Sequence, residues 1–413
     1  MFFALKPREE EDMAKNKKWS FGPGFLVAAA FIGPGTVTTC TLAGARFGTA
    51  LLFALVFATA TTIVLQDMTA RLSLGSRLDL AQAIREFPTS NLLRGFLIVI
   101  TLAAITLGCA AYEAGNIIGG ALGLETVTSV PHKIWVTFLS FLAGGLLASG
   151  RYKVIEKFLI GLVFLMSLSF LTAFILVRPN FALIAKGLVP SIPSGSLPLM
   201  LALIGTTVVP YNLFLHSAAV KQKWEGSGQL STARRDIVLS ITLGGLISMA
   251  IVVTSAAAFF GSATEIQNGI QMASQLKPLF GSLTNILFGL GFFAAGLTSS
   301  LTAPYAAAFA ASGVLGWKEG SRSWKFRAVW ISVIAVGLFV SLLDLKPIAV
   351  ILFAQVSNGI ILPVAAVFLL LVLNRKSRMG GLNNSRFQNI LGGCIIAVVV
   401  VLGLWNILKL FIG

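Results

Sequence analysis

The chain has 413 residues, 56% of them hydrophobic and only 11% charged, and its mean hydropathy is +0.89. That is more apolar surface than one water-soluble core can bury, so the composition excludes an ordinary globular enzyme and points to an all-α polytopic membrane protein. The formal net charge of +16 invites a nucleic-acid partner, and only the placement of the basic residues decides against one.

A hydrocarbon crossing takes about 20 mostly apolar residues. Unsatisfied backbone groups cost several kcal/mol each in lipid, so runs of this length are helices rather than barrel strands. The apolar runs predict eleven spans, over residues 22–45, 49–70, 95–121, 133–150, 156–177, 196–220, 236–260, 282–314, 328–343, 347–373 and 388–411. The first twenty residues, MFFALKPREEEDMAKNKKWS, are mostly polar and do not end in a small-residue cleavage site, so no cleavable signal peptide is expected. Met13 is an alternative start. A cytoplasmic tail over 1–21 and a single membrane domain over 22–413 are expected, because no polar interval reaches the size of a soluble domain.

With the N-terminus in the cytoplasm, 24 of the 31 Lys and Arg residues fall on the cytoplasmic side, among them Arg71, Arg151, Arg234 and Arg375. This is the positive-inside asymmetry of a plasma or inner membrane protein, so the basic balance reports topology and the expected surroundings are lipid, not nucleic acid. An odd number of spans puts the C-terminus outside. A monomer or weak oligomer is expected.

Two spans are interrupted. The first contains FIGPGTVTTC, Phe31 to Cys40, where Gly33 and Gly35 loosen the backbone and Pro34 removes an N–H. Carbonyls of Ala30 to Ile32 then lose helical partners, and a new half-helix starts after Gly35. The sixth contains IGTTVVPYNLFLHSA from Ile204, with Thr206, Thr207, Val209, Pro210, Tyr211 and Asn212 at the break. Two Pro-kinked helices are one reading. Corresponding breaks five spans apart instead suggest two inverted repeats, residues 22–177 and 196–373, followed by an extra helix at 388–411, with a binding site near the bilayer midplane.

Few polar groups lie within the spans. Glu113 and Asn116 share one face of the third span, and Gln355 and Asn358 one face of the tenth. His216, one turn beyond Asn212, is a candidate for a proton relay or a structural hydrogen bond. Asp67, four residues before Arg71, reads as half of a local ion pair. Cys40, Cys109 and Cys394 show no paired spacing and read as small core residues. The stretches GGLLASG and LGGLIS suggest close helix packing. With only two histidines, His132 and His216, and no H-E-x-x-H, Walker A or G-x-S-x-G motif, neither an enzyme nor a cofactor is expected.

Several longer stretches in one order resemble the Nramp family of divalent-metal transporters. They are GPGTVTTCTLAGARFG, IVLQDMTARLSLGSRLDLAQAIRE, RYKVIEK, VVPYNLFLHSAAV, LKPLFGSLTNILFGLGFFAAGLTSSLTAPYAA and FAQVSNGIILPVAAV. The resemblance implies a LeuT-type 5+5 inverted-repeat fold with discontinuous helices 1 and 6 and an eleventh helix. In the family the first break reads D-P-G-N and the sixth-span break M-P-H-N. Gly33 stands here at the aspartate position, Thr36 at the asparagine, Val209 at the methionine and Tyr211 at the histidine. Pro34, Gly35, Pro210, Asn212, His216, Gln355 and Arg327 match the family pattern, and its two acidic positions in the third span are Glu113 and Asn116.

The implied substrate-binding set is Ala30, Gly33, Thr36, Thr206, Val209, Tyr211, Asn212 and Gln355. Thr36, Asn212 and Gln355 would be metal ligands, and Glu113, Asn116, His216 and Arg327 a proton relay. The carboxylate and sulfur ligands that suit manganese or iron are replaced. Three readings stand. The chain moves a divalent cation that keeps part of its water shell, as magnesium would. Alternatively it carries a small organic or amino acid on the half-helix N-terminus at Gly35 to Thr38. In the third it is a non-transporting sensor or assembly subunit.

Overall fold

The computed structural model describes residues 22–412 apart from 129, 151–152, 263 and 344. The expectations placed on the tail, Met13 included, lie outside the described residues. In chain order the main helices are α1 (Pro23–Phe31), α2 (Pro34–Phe47), α3 (Leu52–Ser76), α4 (Leu80–Glu86), α5 (Asn91–Thr128), α6 (His132–Ser149), α7 (Lys153–Leu176) and α8 (Phe181–Gly187). They continue with α9 (Leu197–Thr207), α10 (Pro210–Lys223), α11 (Leu230–Phe259), α12 (Thr284–Leu315), α13 (Trp324–Leu342), α14 (Pro347–Leu373) and α15 (Arg386–Ile412). Short helical turns over Gly269–Phe280 lie between α11 and α12.

Both expected interruptions are present, and each helix restarts at its proline. Proline is pre-organised for the first helical position and has no N–H to offer the residue four before it. The carbonyls of Ala30 and Thr206 therefore receive no helical bond. Gly33 is extended between α1 and α2 (φ −117°, ψ −173°), and the pair bends by 58°. Val208 and Val209 leave helical geometry between α9 and α10, but that pair runs on as one span, Leu197–Lys223, without a bend above 40°. The two breaks thus correspond in position but differ in angle.

Among the described residues nine helical stretches are long and apolar enough to cross a membrane, and the bent α1–α2 pair makes ten. The part of α15 over Arg386–Val401 is a shorter apolar helix at the place of the eleventh expected span.

Packing positions the site. The most extensive helix contact is between α5 and α12, where Gly120 and Gly296 bring the backbones together. Helix α11 packs along both α2 and α1. LGGLIS meets the packing expectation, since Gly244 faces Phe31 and Gly245 faces Thr59. GGLLASG does not: nothing stands over Gly144 or Gly145, because that stretch of α6 is turned away from the other helices. Cys40 and Cys109 are buried as expected, whereas Cys394 is exposed on α15 and is not a core residue.

One end of the bundle is closed by polar contacts. Asp67 bonds Arg71 at 2.8 Å within α3 and Arg234 of α11 at 2.6 Å, and Arg71 reaches Asn384, just before α15, at 2.6 Å. The expected local pair is thus the centre of a three-segment network. Beside it, Asp79 caps α4 through a reciprocal box with Gln82. Burial pushes the Asp79 carboxyl up from its ordinary range, against the Gln82 N–H bond and the Lys221 charge.

Candidate functional site

The two breaks meet. Thr36, in the first turn of α2, donates its hydroxyl proton to the Phe31 carbonyl, and its oxygen lies 2.6 Å from Thr206 Oγ1 of α9. A hydroxyl has one proton, so Thr206 is the donor across the pair and keeps outward lone pairs. Both side chains are fully buried.

Helix α14 covers this centre. Its Asn358 donates to the Gly205 carbonyl at 3.0 Å, which holds the end of α9 against it. The Gln355 amide lies directly over Gly35, where an added Cβ would push it aside, so glycine lets the amide sit in this place. Gln355 Oε1 has no partner, and neither atom of the Asn212 amide has one. Buried amides without partners are costly and mark places where an ion or water belongs.

Of the remaining expected residues, Ala30 and Val209 are buried at the breaks. Gly33 faces Ser299 of α12, and an added Cβ would lie 2.9 Å from the Ser299 hydroxyl oxygen. Tyr211 meets Tyr112 of α5 edge to face, with ring centroids 5.5 Å apart. The centre is closed from both sides: Thr36, Thr206, Tyr211, Asn212 and Gln355 are at most 2% exposed.

The relay candidates are not brought together. Glu113 contacts Asn116 at 3.5 Å on its own helix and packs against Gly337 of α13. His216 is on the other side, its Nδ1 2.8 Å from Thr69 Oγ1 of α3. Arg327, in the first turn of α13, is exposed and reaches neither. The set does not form one hydrogen-bonded chain. No cluster of three or more His, Cys, Asp or Glu side chains able to hold a metal exists among the described residues. The polar groups at the breaks are accordingly uncharged: two hydroxyls, two amides and the carbonyls freed by proline.

Sequence reasoning missed Gln66, whose amide is fully buried on α3 with both polar atoms unpartnered, and the hydroxyls of Tyr112 and Ser300. Gln66 had one signal, a polar residue inside an apolar run, hidden by the neighbouring Asp67 and Arg71 that made the stretch read as the end of a span.

Interrupted helices at corresponding positions of two five-helix repeats, enclosing a buried polar centre, define the LeuT-type class of membrane transporters. The chain belongs to the Natural resistance-associated macrophage protein-like (Nramp) family, whose pattern matches residues 24–409, and members of that family are transporters, not enzymes. It is 27% identical to the divalent metal cation transporter MntH of Staphylococcus saprophyticus, over 96% of this chain and 93% of that protein. It is 29% identical to MntH of Ralstonia nicotianae, over 95% and 91%. Its fold matches the crystal structure of a manganese transporter from Eremococcus coleocola with a TM-score of 0.77 and 25% identity, over 94% of this chain and 85% of that one. It also resembles MhsT in complex with L-phenylalanine, at a TM-score of 0.60 and 15% identity over 93% and 99%, which is a likeness of fold alone.

Proposed function

We infer that this protein carries a divalent metal cation across a cell membrane by alternating access to the chamber between the α1–α2 and α9–α10 breaks. What supports the reading is the set of buried acceptor oxygens at and over the two breaks: the Thr36–Thr206 pair, the unpartnered amide oxygens of Asn212 and Gln355, and the Ala30 and Thr206 carbonyls freed by Pro34 and Pro210. The names of the metal-transporting relatives support the same class.

The chamber holds no carboxylate, because Gly33 stands at the break. Neutral oxygens compensate poorly for stripping a divalent ion of all its water, so the ion keeps part of its hydration shell there, a demand that magnesium meets well. Glu113, fully buried on α5, is the titratable carboxyl of this part of the bundle; proton coupling through it is an element of the proposal. A carboxylate-bearing solute is the weaker reading, since the Gln355 amide already covers Gly35, where such a group would dock.

The test is uptake into proteoliposomes of purified protein, with Mn2+ and Mg2+ assayed in parallel. Uptake of either ion above empty vesicles is the expected result. Failure of both would remove the reading.

A further inference from the structure

The seam between α3 and α9–α10 holds polar groups that the chamber does not use. Thr62 Oγ1 lies 3.4 Å from the Thr207 carbonyl, and Thr69 meets His216 at 2.8 Å, so the two helical segments run parallel. Gln66, between Thr62 and Thr69 on the same face of α3, therefore falls level with Asn212. Asn212 is in turn one helical turn before His216 on α10, and side chains on a helix lean toward its N-terminus, which brings the His216 ring toward Asn212. Gln66 and His216 are fully buried and Asn212 is 2% exposed. Both atoms of each amide and His216 Nε2 lack a hydrogen-bond partner.

Thr69 Oγ1 lies within hydrogen-bond reach of both the Gln66 main-chain carbonyl, at 2.9 Å, and His216 Nδ1, at 2.8 Å. With the ring proton on Nδ1, Thr69 accepts from the imidazole and gives its own proton to that carbonyl, and Nε2 presents a lone pair. A hydrogen bond that fixes one ring nitrogen and leaves the other free orients the imidazole in the way that outer partners orient metal-ligating histidines. The nearest carboxylate, Asp67, is taken by Arg71 and Arg234 and is not available as a ligand.

We propose that Gln66 Oε1, Asn212 Oδ1 and His216 Nε2 form a second station for the transported ion, one turn from the break toward the end of the bundle that carries Asp79 and Lys221. Asn212, shared by both sets, passes the ion between them. A neutral site binds a divalent ion weakly, which suits a step that must release it. Its imidazole nitrogen favours first-row transition ions such as Mn2+ over Mg2+, so selectivity that the oxygen-only chamber lacks arises here. This rests on the metal-transport reading and adds a location and a preference to it.

The test uses purified full-length protein loaded with Mn2+ and pulsed electron paramagnetic resonance. Modulation from a directly bound imidazole nitrogen is expected, and its loss in His216→Gln. Gln66→Leu is expected to lower Mn2+ uptake about tenfold with its melting temperature unchanged or raised, since an orphaned amide is replaced by an apolar group; a merely structural glutamine would instead lose stability. Bound Mn2+ without nitrogen modulation, or modulation that survives His216→Gln, overturns the station and leaves transport standing. Absence of Mn2+ binding with Mg2+ uptake intact overturns the station alone, and absence of Mn2+ binding together with failure of both Mn2+ and Mg2+ uptake in the unaltered protein overturns the two together.

Discussion

Thr36 Oγ1 and Thr206 Oγ1 lie 2.6 Å apart, joining two helix breaks that are 170 residues apart in sequence. An ion entering the chamber must either use this pair as ligands or separate it. Thr36→Val and Thr206→Val are each expected to lower the initial rate of divalent-cation uptake in proteoliposomes by up to about tenfold, the scale of one hydrogen bond. The double variant is expected to be no slower than the slower single one. Fully additive losses would show that the hydroxyls act separately.

The contact of Gln355 with Gly35 is steric as well as polar. Gly35→Ala is expected to displace the amide and reduce uptake severalfold, with a loss of thermal stability on the order of 1–3 kcal/mol from overpacking. Adding Gln355→Ala should restore the melting temperature but not the uptake. Recovery of uptake in the double variant would exclude Gln355 as a ligand.

Gly33 has an extended backbone that any residue adopts, so Gly33→Asp is compatible with the break. Paired with Ser299→Ala to make room, it returns a carboxylate to the chamber and should tighten Mn2+ binding about tenfold or more, as read by calorimetry. Unchanged affinity would place the ion away from the first break.

Glu113 is the only fully buried carboxylate within the membrane helices among the described residues. Glu113→Gln preserves shape and removes the titratable carboxyl. Uptake is expected to fall about tenfold and to lose its dependence on an imposed pH gradient, followed with a pH-sensitive dye in the vesicle lumen. An unaltered pH response would separate Glu113 from coupling.

The Asp67 network combines a buried and a half-exposed cation. Arg71→Ala leaves Asp67 and Asn384 in a largely buried place and is expected to cost about 3–5 kcal/mol. Arg234 is 45% exposed, so Arg234→Ala should cost under about 1 kcal/mol. Thermal melts in detergent check the order; equal effects would mean that the inter-helix bond to Arg234 carries the network.

Much of the architecture was legible because its causes are local. Span limits follow from runs of apolar residues: 347–373 coincides with α14, while α5 (Asn91–Thr128) runs past 95–121 at both ends and α3 (Leu52–Ser76) runs past residue 70. Pro34 and Pro210 announce their breaks because each lacks an N–H whatever surrounds it. Of the site residues expected from the sequence, Thr36 and Thr206 meet, Gln355 lies over Gly35, and Asn212 is buried with both amide atoms unpartnered. Arg327 matched the family pattern yet is exposed, since its position in the first turn of α13 decides where it points and pattern does not. Cys394 was misplaced for a related reason, as an apolar helix in lipid has no obligation to turn a small residue inward.

By itself the sequence determined a multi-span helical bundle with two proline-initiated half-helices and no carboxylate at the first of them, because length, hydropathy and a missing N–H act within a few residues. Only the tertiary structure decided which groups meet across the bundle: Thr36 with Thr206, Gln355 over Gly35, and Thr69 on His216. These depend on the rotation and relative height of helices far apart in the chain. A difference of one residue in register turns a side chain by about 100° and would send each of these groups elsewhere.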